Sequence, residues 1–189
     1  MKTCISILRG INVSGHHKIL MKDLKAMYES MDFENVRTYI QSGNVIFETR
    51  QKKSDLVLAQ EIRNKINETF GFDVPVITRS AEEINEVLTH NPFLKRKEVD
   101  LARLHVTFLA EVPSKEKLEQ LKAVNYAPDE FIVAGKEVYL YIPVSYGHTK
   151  LNNNFWESKL QRTATTRNWK TVGELAKIAN EASDKTKKK

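Results

Sequence analysis

The chain holds a single cysteine, Cys4, in 189 residues. No disulfide framework can form within it, and a reducing, cytoplasmic compartment is the expectation. No apolar run approaches the roughly 20 residues that a membrane span needs. The opening stretch Met1–Leu8 reads as too short and too polar for a signal peptide. The five histidines show no zinc-ligand spacing and no His-Glu-x-x-His pattern, and no Gly-x-Ser-x-Gly elbow is present. The sequence therefore implies no metal and no cofactor. Cys4 lies in an apolar strand and reads as an inert core thiol.

Charge of one sign is also in short supply. The formal net charge is +6, from 30 Lys and Arg against 24 Asp and Glu. Half of that excess sits in the tail from Ser183, where four lysines face Asp184. The body is nearly balanced, so a broad basic surface for nucleic acid is not indicated. At 41% hydrophobic and 29% charged residues the composition is that of an ordinary globular protein.

What is present is an alternation of short strands and amphipathic helices. Thr3–Leu8 reads as a strand. Leu20, Leu24, Met27, Tyr28 and Met31 recur at helical spacing, which predicts a helix over Met21–Met31. Val36–Ile40 and Val45–Glu48 are β-rich, with the turn signal Ser42-Gly43 between them. Leu58, Ile62, Ile66 and Phe70 mark a helix over Ser54–Phe70, stopped by Gly71. Val74–Thr78 is a fourth strand. The order βαββαβ is that of a split βαβ, or ferredoxin-like, arrangement.

The second half follows a related order. Ser80-Ala81-Glu82-Glu83 is a capping box that opens a connecting helix to about Thr89, and Asn91-Pro92 ends it. Arg103–Leu109 is a strand, and Ser114 caps a helix with Leu118 and Leu121. Phe131–Ala134 and Glu137–Ile142 flank the hairpin signal Gly135-Lys136. Leu151, Phe155 and Leu160 lie on a further helix. Thr171-Val172-Gly173-Glu174 reads as a second capping box for the last helix. The expected fold class is α+β with two ferredoxin-like subdomains, the second ending in helices instead of a fourth strand. The expected organisation is a first subdomain over 1–79, a connecting helix and loop over 80–102, a second subdomain over 103–182, and a disordered basic tail over 183–189. No repeat at the level of residues supports the duplication.

Topology brings some loops together. In a βαββαβ sheet the exit of the first strand and the turn between strands two and three share one end. The segment Arg9–Lys18 therefore lies beside Gln41-Ser42-Gly43-Asn44. The first of these has two glycines, basic side chains and no acid, and leads to a helix N-terminus, where an anion is favoured. It is not a Walker motif, because His16-His17 stand where Lys-Ser/Thr is required. Tyr146–Asn154 is a second polar segment that opens a helix, and Gly-His-x-Lys occurs in both segments, at 15–18 and at 147–150. A third segment, Thr163–Trp169, offers hydroxyls, a guanidinium and an indole. Strand parity places Tyr139 and Tyr141 on one face, as stacking platforms would be, although no segment fits an RNA-recognition pattern well.

The segments Leu8–Val13, Thr38–Phe47, Asn91-Pro92-Phe93 and Thr165–Trp169 together resemble the bacterial family called domain of unknown function 1697. The resemblance implies a cytosolic bacterial protein built from paired ferredoxin-like halves and supplies no activity. It draws attention to Arg9, Asn12, Gln41, Ser42, Asn44, Arg167, Asn168 and Trp169, the same loop residues that topology picks out.

The expected function is a binding module for a phosphate-bearing ligand, a nucleotide or a nucleic-acid end. Arg9, Lys18 and Arg167 would hold the anion by charge-assisted bonds; Asn12, Gln41, Ser42, Asn44 and Asn168 would orient it, and Trp169 would stack a ring. Two alternatives stand beside it: an enzyme on a small phosphorylated or acidic substrate with His16, His17 or His148 as proton carrier, and an interaction protein that uses its sheet faces. No membrane partner is expected.

Overall fold

The computed structural model describes residues 1–13, 17–122 and 125–187. The chain divides into two compact units, Met1–Asn85 with Glu174–Lys189, and Glu86–Gly173.

Unit 1 contains β1 (Lys2–Leu8), α1 (Met21–Glu29), β2 (Glu34–Tyr39), β3 (Asn44–Thr49), α2 (Asp55–Phe70) and β4 (Val76–Ser80). The strands form one antiparallel sheet in the order β2-β3-β1-β4. Leu24, Met27, Leu58, Ile62 and Ile66 of the two helices pack on Cys4, Leu8, Val45 and Phe47 of the sheet. Tyr28, Phe33 and Phe47 cluster in that core, with ring centroids 4.3–6.0 Å apart. Ser54 Oγ caps α2, and Gly71 ends it in the left-handed conformation at φ 74°. At the end of β4, Ser80 and Glu83 bond reciprocally: Glu83 accepts from Ser80 N–H at 2.9 Å and Ser80 Oγ from Glu83 N–H at 3.2 Å. This capping box opens α3 (Ala81–Thr89). The opposite sheet face is also buried. The C-terminal part of α6 (Trp169–Lys187) lies against it, with Ser183 Oγ 2.9 Å from Thr3 Oγ1 and Glu181 3.7 Å from Arg37. That helix runs through the stretch from Ser183 that composition alone marks as a tail.

Unit 2 contains β5 (Leu104–Leu109), α4 (Lys115–Lys122), β6 (Glu130–Ala134), β7 (Glu137–Tyr141), α5 (Asn153–Leu160) and β8 (Ala164–Asn168). The sheet is antiparallel in the order β6-β7-β5-β8. Trp156, fully buried, centres an aromatic cluster with Tyr126, Phe131 and Phe155, and its Nε1–H donates to Leu151 O at 3.1 Å. Short 3₁₀ turns at Pro92–Lys95, Leu101–Arg103 and Tyr146–His148 complete the unit.

The fold class is α+β with two four-stranded sheets, and one detail is corrected. The second half does have a fourth strand, β8, where the sequence suggests only a link between helices. Its segment Ala164-Thr165-Thr166-Arg167-Asn168 lacks the apolar alternation that marks a half-buried strand. Hydroxyls take the place of apolar packing: Thr107 Oγ1 donates to Thr166 Oγ1 at 2.7 Å, and Thr166 Oγ1 donates to Asn153 Oδ1 at 2.7 Å. The last helix also starts earlier than its apparent capping box. Asn168 Oδ1 accepts from Thr171 N–H at 2.8 Å and caps α6, while Thr171 is buried in the first turn.

With β8 in place the central and fourth strands of the two sheets correspond in register. Leu8 N–H donates to Gly43 O at 2.8 Å, as Leu109 N–H does to Lys136 O. Arg9 N–H donates to Pro75 O at 3.0 Å, as Ala110 N–H does to Thr163 O. Cys4 pairs with Ser80 and His105 with Asn168, each at the last residue of the fourth strand.

Candidate functional site

The loop cluster of unit 1 forms as topology predicts, and its polar groups close on one another. Asn12 sits at φ 54°, in the left-handed region that asparagine tolerates better than most residues. Its Nδ2 donates to Ile19 O at 2.9 Å and to Gln41 O at 3.0 Å, and its Oδ1 accepts from Ile19 N–H at 2.9 Å. The amide thus clasps the β1–α1 loop to the β2–β3 turn with every strong donor it has. Asn44 is fully buried, and its Nδ2 donates to Tyr39 O at 3.1 Å and to Ser42 Oγ at 3.3 Å. Gly43, at φ 81°, brings the turn so close that a Cβ there would lie 2.7 Å from Ile11 Cδ1 and 2.8 Å from Leu8 Cβ. Gln41 and Lys18 are exposed and Arg9 is half-buried. His17 is exposed with its ring 5.1 Å from that of Phe72. Ser14, Gly15 and His16 lie outside the described residues, so the first Gly-His-x-Lys segment is not described in full.

In unit 2 Arg167 is a buried residue. Its Nη1 donates to Thr165 Oγ1 at 3.1 Å and to Thr166 O at 2.9 Å, and burial lowers its pKa to about 10. Asn168 and Trp169 are placed differently. They line a cleft of about 490 Å3 together with Leu101, Ala102, His105 and Lys170. His105 and Asn168 face each other across β5 and β8, the 3₁₀ turn supplies Leu101 and Ala102, and α6 begins at the rim. The first turn of α6 carries no acid, so nothing there offsets the positive end of its dipole.

His105 is the chemically distinctive member. Its Nδ1 lies 3.2 Å from Arg103 O. A carbonyl only accepts, so Nδ1 carries the proton and Nε2 keeps its lone pair. The ring stacks on Tyr146 with centroids 4.8 Å apart and planes at 21°. Burial lowers the pKa below its ordinary value, opposed by the bond to Arg103 O. At neutral pH the cleft thus holds a neutral imidazole with a basic Nε2, which has no hydrogen-bond partner among the described residues.

Sequence reasoning put Asn168 and Trp169 among its candidates and left out His105 and Lys170. The alternation along β5 was the one signal for His105, but the missing β8 hid its neighbour across the sheet. The tyrosine face does not form an open platform. Register places Tyr139 and Tyr141 on the face opposite His105 and Thr107. Tyr139 is buried, and Tyr141 is overlain by Phe93 at 6.1 Å and by the guanidinium of Arg96 at 5.5 Å.

The model of a protein family of unknown function, DUF1697, matches residues 1–139. The chain belongs to the DUF1697 family. It is also similar in structure to the conserved bacterial protein SP0830 from Streptococcus pneumoniae, with a TM-score of 0.73 and 24% identity, over 94% of this chain and 98% of that one. That likeness carries the fold. No curated protein matches the chain. The stretch matched by the DUF1697 model includes the loop cluster and His105, while Asn168, Trp169 and Lys170 lie beyond it.

Other chemistry in this DUF1697 chain is sparse. Cys4 is fully buried, and burial pushes its thiol up to about 12. His148 is exposed in a 3₁₀ turn. Among the described residues no group of three or more His, Cys, Asp and Glu is placed to hold a metal ion. Among them, too, no helix is long and apolar enough to cross a membrane.

Proposed function

We propose that the chain is a cytoplasmic protein that binds a phosphate-bearing, ring-containing ligand, a nucleotide or a nucleic-acid end, in the cleft of unit 2. The observation that carries this reading is the company in that one cavity: an indole, a neutral imidazole, an ammonium group and the start of a 19-residue helix. Trp169 offers a face to a base, which stacking favours by about 1–3 kcal/mol. Lys170 and the first N–H groups of α6 offer charge and donors to a phosphate. His105 Nε2 accepts a hydrogen bond from a ligand N–H or O–H. The loop cluster of unit 1, where Asn12 and Asn44 bond to the loops themselves, supports the fold in this reading.

Tryptophan fluorescence tests it. Trp156 is fully buried with its N–H bonded, so a ligand at the cleft changes the emission of Trp169. A nucleoside monophosphate should quench saturably, whereas its nucleoside and inorganic phosphate should each bind at least about tenfold more weakly, the equivalent of one charge-assisted contact. Lys170→Gln should cost the nucleotide a similar factor and leave the nucleoside unchanged. No saturable quenching by any nucleotide or short oligonucleotide, with no rise in melting temperature, rejects the reading.

The fixed tautomer of His105 favours one further reading, an acid–base enzyme on the same class of ligand, with Nε2 as the proton acceptor. Turnover lost on His105→Gln with binding retained would support it.

A further inference from the structure

The second strand is an outer strand of each sheet, and the two differ in how well they are guarded. In unit 1, β2 is guarded. Its register breaks at a bulge between Glu34 and Arg37, with Asn35 at φ 51°, and its charges pair with Arg50 and Glu181. Bulges and charges of this kind stop a free edge from pairing with another chain. In unit 2, β6 has no bulge, and its single charge stands at the end of the strand, where Glu130 accepts from Arg96 Nη1 at 2.9 Å and Nη2 at 2.6 Å. It reads Glu130-Phe131-Ile132-Val133-Ala134, runs in unbroken register with β7, and is exposed at every second residue, with Ile132 at 40%.

The hairpin fixes which backbone groups point outward. Gly135-Lys136 is a two-residue turn, so the flanking Ala134 and Glu137 form a hydrogen-bonded pair. Such pairs alternate along an antiparallel ladder. Glu130, Ile132 and Ala134 therefore bond inward to β7. Phe131 and Val133 direct N–H and C=O away from the sheet, where no strand lies among the described residues.

We propose that β6 is the dimerisation edge of this protein and that its partner is a second copy of the same strand, antiparallel across a two-fold axis at Ile132. That register is chosen by the strand itself. It sets Phe131 opposite Val133 of the second copy, a pair that exchanges both outward hydrogen bonds, and symmetry gives the pair twice. Ile132 meets its own counterpart, which covers an exposed apolar side chain. Glu130, whose carboxylate is already held by Arg96, faces the small side chain of Ala134 of the second copy at both ends, so no unpaired charge enters the seam. Sliding the axis to Phe131 would set Glu130 against Ile132 of the other copy, a carboxylate on an apolar side chain. The product is one continuous eight-stranded sheet, and a closed two-fold pairing uses up both free edges. The interface is independent of the cleft reading.

Sedimentation equilibrium of the full chain, from about 1 μM to about 1 mM, is the test, a range that spans the weak affinities expected of one strand pair. The mass should rise from monomer to dimer. Val133→Pro removes an outward N–H without touching the ladder to β7, and Ile132→Lys places two ammonium groups on the axis. Both variants should remain monomeric at the highest concentration, with the melting temperature measured at 1 μM showing that they are folded. In the wild-type chain, the amides of Phe131 and Val133 should gain hydrogen-exchange protection as concentration rises. That measurement decides the matter if a variant fails to fold. A monomer throughout, a dimer that persists in both folded variants, or protection that appears elsewhere overturns the proposal.

Discussion

Arg79 and Arg167 hold the same position in the two sheets. Each is the penultimate residue of a fourth strand, each is buried, and each donates Nη1–H to the carbonyl of the threonine before it, Thr78 or Thr166, at 2.9 Å. Neither arginine is legible as core from sequence, because guanidinium groups are seldom buried. Their equivalence is the most specific sign that the two units share one plan.

Arg79→Ala and Arg167→Ala should each lower stability by about 2–4 kcal/mol, since each removes a large buried side chain and its hydrogen bonds. Methionine at either position keeps most of the volume without the buried charge and should cost less than alanine. Urea denaturation of the four variants measures both differences. Equal losses for Met and Ala would mean that the hydrogen bonds, not the packing, matter.

Most of the fold was legible because most elements obey simple periodicity. Leu58, Ile62 and Ile66 fall on one face of α2, Gly71 ends it, and Ser80 with Glu83 caps α3 as spacing predicts. The β8 strand was not legible, because Thr165 and Thr166 satisfy its faces through hydroxyls instead of apolar groups. The candidate site suffers from the same gap. Without β8, Asn168 has no reason to face His105, and a histidine on a strand carries no mark of its partners. Conversely, Asn12 and Asn44 look like ligand donors in sequence, yet the backbone carbonyls and N–H groups they bind belong to no motif.

The turn at Gly43 should tolerate no side chain. Alanine there meets both a left-handed φ of 81° and side-chain atoms at 2.7–2.8 Å. Strain and overpacking together predict a loss of about 2–4 kcal/mol for Gly43→Ala. Ile11→Ala in the same chain removes the nearest clashing atom, so the double variant should lose less than the sum of the two single changes. Additive losses in chemical denaturation would assign the cost to backbone strain alone.

Asn12→Ala breaks three hydrogen bonds and places alanine at φ 54°. A loss of about 2–3 kcal/mol is expected from the unpaired backbone groups and the strained residue. Nucleotide quenching of Trp169 should survive the change under conditions where the variant is folded. A selective loss of binding in a fully stable Asn12→Ala chain would move the site to unit 1.

Cys4 should be silent toward thiol reagents. Full burial and a thiol pushed up to about 12 leave a thiolate fraction of about 1 in 10,000 at pH 8. A chromogenic disulfide reagent should label the native chain only at the rate of unfolding and label it at once in guanidinium. Rapid stoichiometric labelling without denaturant would contradict the packing of β1.

His105 sets an acid limit on stability. Its pKa is lowered in the folded chain, so around and below the ordinary value of 6.5 the unfolded chain binds the proton first. Stability therefore rises with pH through this window, and the contribution of His105 is lost as pH falls from about 7 toward its folded value. Replacing His105 by glutamine removes the titrating group. The melting temperature of His105→Gln should then decline less steeply between pH 7 and pH 5 than that of the wild type, with the other four histidines common to both chains. The same proton governs the cleft: once Nε2 is protonated it no longer accepts from a ligand donor but attracts a phosphate. Nucleotide affinity should thus follow a different pH profile in the wild type than in His105→Gln, where only the ligand's own phosphate, with a second pKa of about 6, titrates, when both are followed by Trp169 quenching above the acid transition. Parallel pH profiles for the two proteins, in both melting and binding, would mean that His105 titrates as it does in the unfolded chain and that its ring is not held in the cleft as a neutral acceptor.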